Sequence, residues 1–159
     1  MKKQIAYFLT LLILGSTVVA QDLQNERIRS ISDRKRSIYL DRGIFHNGSQ
    51  SQTSSLKGIR YNYSAQLGYE RVVFDFTTDK VPRIYGHISS VDKKVTIDFF
   101  DTKLESNLAS SGESKYVENV NFFPITDESL SVEINLKENA TVDIFYLESP
   151  ARFVIDIKK

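Results

Sequence analysis

His46 and His87 are the only histidines in this chain, and it has no cysteine. A catalytic zinc site takes three protein ligands and keeps a fourth position open. No HExxH or comparable spacing supplies them, so neither a metal nor a cofactor is expected. There is no GxSxG elbow and no cysteine nucleophile. Carboxylates are plentiful, and two are enough for glycoside hydrolysis. However, Asp75, Asp98, Glu133 and Asp156 each alternate with apolar residues. That pattern predicts strand positions opposite the core, facing solvent in cross-strand charge pairs. No catalytic residue is expected.

The residues better placed for chemistry are arginines and tyrosines, and the chemistry is binding. Arg71 and Asp75 are four apart, as are Arg152 and Asp156. In a strand each pair lies on one face, with Val73 or Val154 between its members. Such a lattice keeps an outer face soluble, and its guanidinium forks equally suit carboxylates or glycan oxygens. Arg83, Tyr85 and His87 share another strand face, where the ring can stack on a sugar. Tyr63 and Tyr69 flank a loop at 64–68. Arg71, Arg83, Tyr85 and Arg152 are the candidate ligand-binding residues.

These side chains need strands to hold them. From Leu56 onward short β-rich runs alternate with turn residues: 58–63, 71–78, 83–89, 94–100, 116–123, 130–136, 141–148 and 151–157. Residues 101–115 read as a polar break. No long stretch has helical periodicity, so about eight strands are expected.

They form two sets of four. Shifting the first set by 58 positions lays Val72, Phe74 and Phe76 on Leu130, Val132 and Ile134, Ile84 on Val142, and Val95, Ile97 and Phe99 on Phe153, Ile155 and Ile157. Asp98 falls on Asp156, and Asp75 on Glu133. The opening strands match at a shift of 61. This is an internal duplication. Each half has an apolar face that is costly in water at roughly 25 cal/mol per Å². Packing one half against the other predicts an all-β fold, a small β-sandwich of two pseudo-symmetric four-strand halves.

Ahead of the domain the composition changes. Residues 1–20 have a charged start, a short apolar run over Ile5–Leu14 and Val18-Val19-Ala20. This is the layout of a secretory signal peptide cleaved after Ala20. The run is about half the roughly 20 residues a spanning helix needs, so no stable membrane insertion is expected. Removing it takes Lys2 and Lys3 away and turns a formal charge of +1 into −1. A nearly neutral chain argues against nucleic acid as a partner. Residues 21–55 read as a polar flexible leader with a mildly basic stretch at 27–36 and a short apolar patch at 37–45. The domain is expected over 56–159.

Pro150-Ala-Arg152-Phe-Val-Ile-Asp156-Ile, and Tyr69-Glu-Arg71-Val-Val-Phe-Asp75-Phe before it, resemble the two strand signatures of the AMIN domain. That family occurs in bacterial cell-wall amidases and pilus secretins. The likeness covers about residues 56–158. The second half departs from it with Ser129 where Arg71 stands in the first, and Lys93-Lys94-Val95 lacks the Pro-x-Arg lead-in. The resemblance implies a small sandwich that targets peptidoglycan or septal envelope sites. The expectation is therefore a non-catalytic, periplasmic or secreted binding module for peptidoglycan. The alternative is an assembly factor that docks on a protein of an envelope complex.

Overall fold

A computed structural model describes residues 27–33, 37–48, 52–126 and 128–159. The expected signal peptide lies outside them. Eleven strands run in chain order: β1 Ile28–Ser30, β2 Arg42–His46, β3 Ser54–Ser64, β4 Tyr69–Phe76, β5 Ile84–Ser89, β6 Lys94–Phe100, β7 Thr102–Ser111, β8 Val117–Thr126, β9 Ser129–Leu136, β10 Thr141–Leu147 and β11 Arg152–Lys158. They form two sheets. The first has the order β1-β2-β5-β6-β9-β8, and the second β10-β11-β4-β3-β7.

The eight expected strands are β3–β6 and β8–β11, and the duplication governs how they associate. Each half gives two strands to each sheet: β5 and β6 or β8 and β9 to the first, β3 and β4 or β10 and β11 to the second. Exchanging the halves converts β5-β6-β9-β8 into β10-β11-β4-β3, so one sheet is carried onto the other. This corrects the picture of one half packed against the other. The halves interleave, so neither has a separate sheet.

The offset needs correction too. It is 58 for β5 to β10 and β6 to β11, but β4 and β9 correspond at 60, Tyr69–Phe76 to Ser129–Leu136. The pairing agrees: Arg71 faces Asp156 across β4 and β11, and Ser131 faces Asp98 across β9 and β6. The counterpart of Arg71 is therefore Ser131, not Ser129. A slip of two residues leaves every side chain on the same face, so alternation alone could not distinguish 58 from 60.

Alternation does place the core. Val72, Phe74, Phe76, Val95, Ile97, Phe99, Leu130, Val132, Ile134, Phe153, Ile155 and Ile157 are all buried. Rings from both sheets meet at its centre: Phe99 lies 5.6 Å from Phe153 and 5.8 Å from Phe74. Burying a side chain of this size contributes about 1.5–3 kcal/mol.

Three strands extend the duplicated unit. β7 falls in the stretch expected to be a polar break. The chain turns at Asp101, with φ 53°, and pairs with β3 in parallel. Its outward residues are polar because it is an edge strand, which hides the strand signal. β1 and β2 lie in the stretch read as a flexible leader. Their anchor is Phe45, fully buried and stacked on Phe153 at 6.0 Å. Its ring occupies the space above Gly86, where a Cβ would overlap it and crowd the Thr96 carbonyl. β2 pairs antiparallel with β5, so the folded unit extends upstream of Leu56. Between β1 and β2 the chain reaches the other sheet, where Leu40 bridges Val142 and the Ser32 carbonyl accepts the Tyr146 N–H.

Candidate functional site

The four candidate ligand-binding residues separate onto the two outer faces. Arg83 and Tyr85 belong to the first sheet, Arg71 and Arg152 to the second.

On the second sheet the charges pair between strands, not four apart along one strand. Arg71 on β4 donates from Nε and Nη2 to both oxygens of Asp156 on β11, at 2.6 and 2.8 Å. The Asp156 carboxylate holds the Arg71 guanidinium above its ordinary pKa. The Arg71 guanidinium also lies 5.3 Å from the centroid of Tyr69 and 5.5 Å from that of Phe145. Arg60 on β3 forks to Asp75 at 2.6 and 2.7 Å. Asp156 was expected to face solvent, yet it is fully buried, as are Asp143, Phe145 and Val154 beside it. The physical reason is the N-terminal stretch, which runs along β10 with Arg29 only 3.6 Å from Asp143. Arg71 is thus committed inside the protein. Arg152 is not: among the described residues its buried Nε has no hydrogen-bond partner.

The first sheet is organised differently. Its register sets one row of outward side chains across five strands: His46 on β2, Tyr85 on β5, Asp98 on β6, Ser131 on β9 and Phe123 on β8. Tyr85 and Phe123 stand at 43% and 44% exposure. They are three strand spacings apart, about 14 Å. In the neighbouring row Lys94 pairs with Glu133 at 3.1 Å. At the β2 end a cavity of about 340 Å³ is lined by His46, Gly48, Arg83, Ile84, Tyr85 and Phe100. The Arg83 guanidinium lies over Phe100, 4.5 Å from its centroid. Stacking leaves the planar edges of the guanidinium free to donate. The cavity therefore offers a cationic fork, an imidazole and two aromatic rings.

Sequence reasoning identified Arg83 and Tyr85 but set His46 aside in the leader, and it missed Phe100 and Phe123. A signal for both phenylalanines was present. Phe99-Phe100 and Phe122-Phe123 are adjacent pairs, and neighbouring strand residues point to opposite faces. One of each pair had to point away from the core.

Two other groups lie apart from this face. Glu70 occupies a core-facing position of β4, fully buried. Its Oε2 accepts the backbone N–H groups of Lys115 and Tyr116, and its Oε1 has no hydrogen-bond partner among the described residues. Lys115 lies 3.9 Å from the centroid of Tyr63, whose pKa its hydrogen bond lowers. Among the described residues there is no cluster of three or more metal-ligating side chains and no helix long and apolar enough to cross a membrane.

Compared with protein families and with curated proteins, the chain matches no family model and no curated sequence.

Proposed function

We propose that this chain is a non-catalytic module of the bacterial envelope that binds peptidoglycan through the outer face of its first sheet. The observation that carries the reading is the cavity at Arg83 and Tyr85. An arginine fork suits the carboxylates of stem peptides, and exposed tyrosine and phenylalanine rings suit the apolar faces of sugars. The signal-peptide layout of residues 1–20 supports a location outside the cytoplasm. The AMIN-like strands at 69–76 and 150–157 suggest the same compartment and ligand. No catalytic role is assigned to any residue, and the chain works without a cofactor.

The test is co-sedimentation of the exported chain with purified cell-wall sacculi. The chain should pellet at low salt and less so at high salt, because exposed charge contacts are screened. Replacing Arg83 and Tyr85 together by alanine should release most of it while the melting curve stays near that of the parent. A parent that remains in the supernatant would dispose of the wall reading. That result would favour docking on an envelope protein, the reading supported by β8: an edge strand with Phe123 and Ile125 exposed, open to strand addition.

A further inference from the structure

The duplication allows each outer face to be compared with its counterpart. Strand equivalence places Asp98 on Asp156, Ser131 on Arg71 and Tyr85 on Asp143. At the second sheet the carboxylate is filled: Arg71 forks onto Asp156. At the first sheet the same carboxylate stands opposite a serine. Asp98 is partly exposed and has no ion pair or hydrogen bond to another described side chain. Of the cations on this face, Lys94 pairs with Glu133 and Arg83 lies over Phe100 at the cavity, and neither forms an ion pair with Asp98 among the described residues.

We infer that Asp98 is the seat for an arginine of a partner protein, supplied by an extended peptide laid across β5, β6 and β9. The chain itself contains the precedent. Around Asp156 the Arg71 guanidinium forks onto both carboxylate oxygens with the rings of Tyr69 and Phe145 5.3 and 5.5 Å from it, and a peptide segment of the same chain, through Ser32, Arg29 and Leu40, closes that side of the sheet. On the first face no described residue supplies a guanidinium opposite Asp98 or a covering segment like that one, but the carboxylate is kept, and exposed rings stand in its row: Tyr85 on one side, Phe123 on the other. A fork onto a carboxylate is among the stronger polar contacts available at a surface. An aromatic neighbour adds attraction for its cation. This goes beyond the wall-binding reading, since it assigns the centre of the face to a protein partner.

The experiment is an NMR titration of the purified chain with a capped pentapeptide that has a single central arginine between valines. The control is the same peptide with citrulline, which keeps the shape and loses the charge. The arginine peptide should produce saturable shifts at Tyr85, Asp98 and Ser131 and bind about tenfold more tightly than the control, the worth of a charge-assisted hydrogen bond. Asp98→Asn should abolish the preference. Ser131→Arg should supply the guanidinium internally, raise Tm and block the peptide, and the added Asp98→Asn should cancel the gain in Tm. Equal affinity for the two peptides, or a preference that survives Asp98→Asn, would overturn the inference. A chito-oligosaccharide titrated in parallel separates it from the wall reading. Shifts with the sugar and none with the arginine peptide would leave wall binding standing and remove this one.

Discussion

Phe45→Ala tests whether the segment ahead of Leu56 belongs to the folded unit. Phe45 is fully buried, stacked on Phe153 and seated above Gly86. Truncating a buried phenylalanine to alanine costs about 3–5 kcal/mol, transfer and cavity together. A domain of this size has about 5–15 kcal/mol in all, so the loss is a large fraction of the total. At about 2–4 °C per kcal/mol for chains of this length, Tm should fall by roughly 6–20 °C. The urea midpoint should fall with it while the slope is kept. Hydrogen exchange should report the same event locally, as faster exchange of the β2 amides that bond to β5. Gly86→Ala attacks the contact from the other side and should destabilise in the same direction. The double variant should lose less than the two single losses added, because both break one contact. A Phe45→Ala protein that melts within about 2 °C of the parent would refute the reasoning, and β2 would then have to be a loosely attached strand.

Three further outcomes follow from the charged groups. Arg71→Met should cost about 3 kcal/mol, because Asp156 is fully buried, whereas Arg60→Met at the half-exposed Arg60–Asp75 fork should cost about 1 kcal/mol or less; equal losses in urea would contradict the role given to burial. Glu70→Gln should cost about 1–2 kcal/mol, since two backbone N–H groups exchange a charged acceptor for a neutral one, and exchange at Lys115 and Tyr116 should quicken; an unchanged melting curve would show that those bonds are not made. In an ultraviolet titration Tyr63 should ionise ahead of the other tyrosines, and Lys115→Met should bring it back towards the ordinary range. A phenol with a depressed folded pKa adds stability above the ordinary tyrosine value, and that contribution is lost as pH falls through the folded one; a single titration unaffected by the substitution would rule this out.

Much of the fold was legible because strand alternation is local. Phe74, Ile97, Val132 and Ile155 declare their face from their neighbours alone, and all lie in the core. β2 and β7 were less legible for opposite reasons. β2 is short, with one deeply buried anchor, and Phe45 gains its meaning from Gly86, far along the chain. β7 is an edge strand whose outward residues face water, so Ser106 to Ser111 resemble a loop in composition. For the candidate site, Arg83 and Tyr85 were found because they stand two residues apart, Arg83 just ahead of β5 and Tyr85 within it. His46, Phe100 and Phe123 come from three other strands, and only the sheet register brings them to the same face.

The amino-acid sequence by itself determined the all-β class, the doubled unit and which residues face the core between the sheets, since a period of two sorts the two faces of a strand; it did not show that Asp156, Phe145 and Val154 would be covered on the outer face. Tertiary structure alone decided which strands became neighbours. Pairing joins residues such as Arg71 and Asp156, 85 positions apart. Nothing in the local alternation of either strand says which carboxylate will be covered and which, like Asp98, will stay open to a partner.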